Sequence, residues 1–196
     1  RGKVLWEDGI ENFGQQWGRY LDVDGDGITY RTFPGNKHPK SGYFARGTGH
    51  DEYAAYTEDS EDWEVNMARL VAKFETSKQY LPEPVLNGDG KGDIGIIAYG
   101  STEDAVLEAQ DKLRAEGIDV DFLRIRALPL HDGVKEFINS KERVYLVELN
   151  RDGQLFQIIN MELPQLCGKL ISLPKHDGLS LSATWVIDQI TAKERN

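Results

Sequence analysis

Ile94-Gly95-Ile96-Ile97-Ala98-Tyr99-Gly100-Ser101-Thr102-Glu103-Asp104 decides the fold class of this chain. The first six residues form a continuous apolar run, the pattern of a strand buried on both faces of a parallel sheet. Gly100 then breaks the run. Thr102 offers a cap for a following helix, and Glu103 and Asp104 suit its positive first turn. Val106, Ala109, Gln110 and Leu113 fall on one face of that helix, and Gly117 ends it. The rhythm continues downstream: strands over 120–125, 144–148 and 170–173 alternate with helices over 133–140, 153–159 and 181–191. Such alternation predicts an α/β domain with a mostly parallel sheet and helices on both faces.

Upstream the texture changes. Pro82-Glu83-Pro84 and Gly88-Asp89-Gly90-Lys91-Gly92 read as a linker, which places a domain boundary between residues 84 and 85. Before it, Asp59 or Ser60 caps a helix whose Trp63, Met67, Leu70, Val71 and Phe74 share one stripe, with Pro82 as its stop. Residues 1–58 are rich in Gly, Pro, Asp and aromatics without a sustained period, and Val4-Leu5-Trp6 and Ile28-Thr29-Tyr30 are candidate short strands. A long irregular stretch of this kind suggests the end of a larger domain, or a loop surface packed on a partner.

Composition removes several function classes. The 196 residues carry 23 basic and 33 acidic side chains, net −10, with no basic block, which argues against a nucleic-acid groove or an anionic membrane surface. No apolar run approaches the roughly 20 residues a membrane span needs. The chain opens Arg1-Gly2-Lys3, without an initiator Met or a signal-peptide pattern, and is expected to be a fragment. A single cysteine, Cys167, fits a reducing cytoplasm. One thiol is also too few for an iron–sulfur cluster, which takes about four thiolates, so electrons from any redox step would leave through another chain or domain.

Four strings invite a functional reading. Asp22-Val23-Asp24-Gly25-Asp26-Gly27 matches the first half of a calcium loop, but the twelfth position, where a bidentate Glu belongs, is Phe33. A tight acidic turn between two strands is the preferred reading, and a calcium module the weaker alternative. Gly88-Asp89-Gly90 looks like the start of a thiamine-diphosphate motif but lacks the later Asn pair and a preceding strand. Gly100 has one glycine where a dinucleotide fingerprint has three, so capping is the expected role of Ser101 or Thr102. His50, Asp51 and Glu52 form a titratable trio in a Gly-rich loop, suited to acid–base work or simply to a solvated surface. His38, His131 and His176 sit in loops as solvated residues, and no Ser or Cys carries a nucleophile motif.

Taken in order, four strings resemble a known family: Arg19-Tyr20 with Gly27-Ile28-Thr29-Tyr30-Arg31-Thr32-Phe33-Pro34-Gly35, the His50-Asp51-Glu52 loop with Thr57-Glu58, Tyr99-Gly100-Ser101-Thr102, and Glu148-Leu149-Asn150 with Gly153-Gln154-Leu155. The family is the α subunit of the 2-oxoacid:ferredoxin oxidoreductases, of the 2-oxoglutarate type, and the resemblance is to its C-terminal part. It implies that residues 1–84 are the end of a pyrimidine-binding domain with a connecting helix. Residues 85–196 are then a transketolase C-terminal-like domain. It further implies an enzyme that converts a 2-oxoacid and coenzyme A to acyl-CoA, with thiamine diphosphate and magnesium held between this subunit and a β subunit. An iron–sulfur cluster on the partner subunit would pass electrons to ferredoxin.

The cofactor-activating Glu and the substrate motif of the family precede this segment. No catalytic residue, metal site or bound cofactor is therefore expected in this chain alone. Asp51, His50, Glu52 and Arg31 are expected at the interface or the active-site mouth. Asp51 would act as a charged partner for a β-subunit Lys or for coenzyme A, while Arg31 has an alternative structural role pairing Asp26 or Glu52. Gly100, Ser101, Thr102, Glu148, Asn150, Gly153 and Gln154 are expected to be structural or interface positions. A homo- or hetero-oligomer is implied. The competing function is a non-catalytic assembly or dimerisation domain.

Overall fold

A computed structural model describes residues 3–45 and 47–195 and divides the chain into two compact units, which meet between Tyr80 and Leu81. The second unit carries a five-stranded sheet of β1 (Val85–Asn87), β2 (Ile94–Tyr99), β3 (Val120–Ile125), β4 (Arg143–Glu148) and β5 (Leu170–Pro174). Between them lie α3 (Glu103–Ala115), α4 (Asp132–Ser140), α5 (Gln154–Glu162) and, last, α6 (Ala183–Glu194). The strand order is β1-β3-β2-β4-β5; β1 is antiparallel to β3 and every other pair is parallel.

Strand alternation supplies two cores. Ile94, Ile96, Ala98, Phe122 and Tyr145 face α3 and α6, whereas Ile97, Leu123, Val144 and Leu146 face α4 and α5. The expected α3 face is buried in full: Val106, Ala109, Gln110 and Leu113. The chain leaves β2 for β3 on one side and returns to β4 on the other, so the carboxyl ends of β2 and β4 flank the point where the winding reverses.

Two local expectations give way. Thr102 does not cap α3: a positive-φ Gly100 opens a 3-10 turn over Gly100–Thr102, and the Thr102 hydroxyl donates back to the Tyr99 carbonyl at 2.7 Å. The stretch 82–92 is not slack. Val85–Asn87 is the antiparallel edge strand, too short to show a period between its Pro and Gly neighbours. The glycines after it close on a buried ion pair. Gly90 N and Gly92 N donate to the Asp121 carboxylate at 3.2 and 3.1 Å, and Lys141 Nζ donates to Gly90 O, Gly92 O and Asp121 Oδ2. Gly88 has φ +128°, and a Cβ there would stand 2.0 Å from Asp121 Oδ1, so only glycine fits.

The first unit holds α1 (Glu7–Glu11), α2 (Ser60–Ser77) and a 3-10 turn, Lys78–Tyr80. Its buried cluster is small: Leu5, Ile10 and Trp17, with Phe13 and Tyr30 against it. The candidate strands near Val4 and Tyr30 reduce to one bridge, Val4 to Arg31. Asp59 is the α2 cap, accepting from Glu61 N at 2.8 Å. The stripe of α2 exists but is not buried: Trp63, Met67, Val71 and Phe74 are exposed.

The Asp22–Gly27 run is a turn without flanking strands. Asp22 accepts from Gly25 N and Gly27 N at 3.0 and 2.8 Å. Lys3 holds Asp24 and Asp26 at 2.5 and 2.8 Å, which keeps both carboxyls below the usual carboxylate range. Among the described residues no group of His, Cys, Asp and Glu is placed to hold a metal ion, and no helix is long and apolar enough to cross a membrane.

Candidate functional site

In the first unit, the Arg19-Tyr20 string and the His50-Asp51-Glu52 loop come together. Tyr20 N donates to Glu52 O at 2.9 Å, and the rings of Tyr20 and His50 stack at 3.9 Å with planes 19° apart. The Arg19 and Arg69 guanidinium groups lie 5.1 and 5.9 Å from the centre of the Tyr20 ring. Burial first, and then the charge of Arg19, lower the pKa of Arg69 from its ordinary value. His50 Nδ1 lies 3.1 Å from the Asp51 carbonyl, which can only accept, so the contact is a hydrogen bond in the tautomer that carries its hydrogen on Nδ1.

Asp51 organises its own loop. Its Oδ1 accepts from Tyr53 N and Ala55 N at 2.9 and 2.8 Å, and Asp51 N donates to Ala55 O at 2.9 Å. This holds Ala54 at φ +70°, a conformation a non-glycine residue adopts only under such constraint. The three residues of the trio line a cleft of about 620 Å³ with Tyr20, Asp22, Glu61, Asp62 and Arg69. Sequence reasoning did not find Arg69, Glu61 or Asp62. They come from α2, whose exposed stripe drew attention to its apolar side. Arg31 does not line this cleft: it belongs to the bridge with Val4, its guanidinium 5.0 Å from the Phe33 ring, while Asp26 is held by Lys3.

In the second unit, the strings at the ends of β2 and β4 meet at the winding reversal. Glu148, the last residue of β4, is fully buried, and its carboxylate accepts from Leu155 N, Phe156 N and Asn150 Nδ2 at 2.7, 3.1 and 3.0 Å. Asn150 Oδ1 accepts from Gln154 N at 3.1 Å, and Asn150 Nδ2 also reaches the Tyr99 hydroxyl at 3.4 Å. The first turn of α5 is thus satisfied by the protein's own carboxylate and amide. Gly153 makes the approach possible, since a Cβ there would meet Ser172 Oγ at 2.7 Å. Gly100 and Ser101 turn the chain beside it, and Gln154 begins α5.

The remaining candidates are dispersed. His131 is not a solvated loop residue: it caps α4, its Nδ1 accepting from Gly133 N at 3.1 Å. Its signal was the Gly133-started helical pattern immediately after it. His38 Nδ1 accepts from Lys40 N at 3.1 Å, and Cys167 is exposed in the 3-10 turn Pro164–Lys169.

No family model matches the chain. It is 33% identical over 164 residues to subunit alpha of 2-oxoacid:ferredoxin oxidoreductase 2 of Aeropyrum pernix, a match covering 81% of this chain and 24% of that protein. The 2-oxoacid:ferredoxin oxidoreductase subunit alpha of Saccharolobus solfataricus is 30% identical over 120 residues, covering 59% of this chain and 19% of that one. In fold, the chain is similar to 2-oxoglutarate:ferredoxin oxidoreductase of Magnetococcus marinus, solved with 2-oxoglutarate, coenzyme A and succinyl-CoA bound. The TM-score is 0.81 at 24% identity, over 97% of this chain and 32% of that one. The chain spans about a quarter of the length of the A. pernix relative. By sequence it resembles the α subunits of the 2-oxoacid:ferredoxin oxidoreductases over most of its own length.

Proposed function

We propose that this chain is the C-terminal portion of the α subunit of a thiamine-diphosphate-dependent 2-oxoacid:ferredoxin oxidoreductase, of the 2-oxoglutarate type. Residues 1–84 would be the end of its pyrimidine-binding domain and 85–196 a transketolase C-terminal-like domain. The observation that carries this reading is the 33% identity to the A. pernix subunit over 164 residues. The whole enzyme would break the C1–C2 bond of the 2-oxoacid, release carbon dioxide, pass two electrons to ferredoxin through an iron–sulfur cluster on its partner, and transfer the acyl group to the thiol of coenzyme A.

The described residues do not fit the cofactor itself. The Gly88-Asp89-Gly90 string closes on Asp121 and Lys141, and Asp89 accepts from Lys91 N at 3.0 Å, so no carboxylate there faces a diphosphate-bound magnesium ion. The cleft around His50 is lined by more carboxylates than cations and would repel a diphosphate. Thiamine diphosphate and magnesium therefore belong, in this reading, to other parts of the α and β subunits. This chain contributes a shaped loop surface: Asp51 holds the loop, and His50 and Glu52 present it at the β-subunit interface or the mouth of the active site. Arg31 would contribute from a separate part of the same unit.

The test is anaerobic reduction of a viologen dye by the α subunit containing this segment, purified with its β subunit, supplied with 2-oxoglutarate or pyruvate, coenzyme A and thiamine diphosphate. Reduction that requires all components is the expected result. A folded complex that reduces no dye with any 2-oxoacid would remove the proposal.

A further inference from the structure

A second cavity, of about 450 Å³, opens at the carboxyl edge of the sheet between the ends of β2 and β3 and the start of α5. That edge, beside a winding reversal, is where open α/β sheets place ligands. The walls are apolar, from Ile125, Leu128, Leu155 and Ile158, with Leu128 48% exposed and Tyr99 39% exposed at the mouth. No carboxylate lines the cavity, in a chain whose net charge is −10. Arg126 is its only cation and makes no ion pair among the described residues. Tyr99 adds a hydroxyl that accepts from Asn150 Nδ2 at 3.4 Å, leaving its O–H to donate.

The usual phosphate seat of such folds is closed. The N–H groups of Gln154, Leu155 and Phe156 are already taken by Asn150 and the buried Glu148 carboxylate, so none is left to receive a phosphate at the helix end. We propose that the crevice binds a small organic monocarboxylate with an apolar body, the body against Leu128, Leu155 and Ile158 and the carboxylate on Arg126 and the Tyr99 hydroxyl. A guanidinium suits the single carboxylate because its parallel N–H donors match both oxygens. The site uses none of the residues invoked for the His50 loop, so it stands or falls independently of the proposed oxidoreductase activity.

The experiment is a titration of the isotope-labelled 196-residue chain, followed by amide chemical shifts, with 3-phenylpropanoate, its uncharged amide, and inorganic phosphate. Saturable shifts at Gly100, Ala127 and Leu155 are expected with the acid. Binding of the amide should be weaker by about tenfold or more, and phosphate should move nothing in this crevice. Arg126→Gln, at an exposed position, should weaken the acid about tenfold and leave the amide unchanged. Equal affinity for acid and amide, saturable phosphate binding at these residues, or no saturable shift with the acid at millimolar concentration would each overturn the proposal. The acid–amide comparison uses the unaltered chain, so it decides the question even if the variant fails to fold.

Discussion

Lys141 and Asp121 show how a single residue can anchor a segment that looks flexible. Both are buried, and between them they satisfy Gly90 and Gly92 at the amino end of the sheet. Removing one partner strands a buried charge, so Lys141→Met should cost about 3–5 kcal/mol, read as a lower urea midpoint. Adding Asp121→Asn should cost less than the sum of the two single changes, because the second substitution removes the charge the first left unpaired. Nothing local marks either residue in the sequence: they are paired across 20 positions, and their glycine partners resemble a linker. Tyr145 is a second case. Burial, and then its hydrogen bond to Glu194 at 2.5 Å, push its phenol far above the usual value. The unfolded chain loses that proton near about pH 10 while the folded chain keeps it. The stability is therefore complete below about pH 10 and declines above it, by up to about 1.4 kcal/mol per pH unit. Tyr145→Phe should flatten that alkaline slope in denaturant melts taken across this range.

At the scale of elements, what the sequence disclosed was what a local period encodes. β2 and α3 were legible because their apolar patterns are regular and their stops are glycines, whereas β1 has only three residues. The stripe of α2 was equally legible, but a stripe tells which side is apolar and not what covers it. α5 depends on a residue outside itself. Glu148→Ala would leave Leu155 N and Phe156 N without their acceptor, at a cost of about 1–3 kcal/mol, and should speed amide exchange there before elsewhere in α5. The His50 loop permits a sharper test. Asp51→Asn keeps an oxygen for Tyr53 N and Ala55 N while removing the charge, whereas Asp51→Ala removes both. If the loop acts through its shape, the whole enzyme should lose turnover in the Ala variant and keep most of it in the Asn variant. Equal losses would assign the role to charge, as the sequence reading expects.

At the scale of the whole molecule, the two units differ in what they bury. The second covers both faces of its sheet with side chains from β2 to β5 and four helices, and its glycine loop is tied by the Lys141–Asp121 pair. The first relies on Leu5, Ile10 and Trp17, a few turns held by Asp22 and Asp51, and a long helix with no buried residue. The strand rhythm made the first half of this contrast readable; the second half was not, because absence of period does not reveal how little is buried. Stability follows apolar burial, and a segment that buries so little cannot offset the entropy of ordering its backbone. A protein of residues 81–196 should therefore unfold cooperatively on its own, with dispersed amide resonances and a sigmoidal urea transition. A protein of residues 1–80 should show neither. A cooperative transition from the isolated first segment would mean that its loops and capping turns hold more free energy than its small core accounts for.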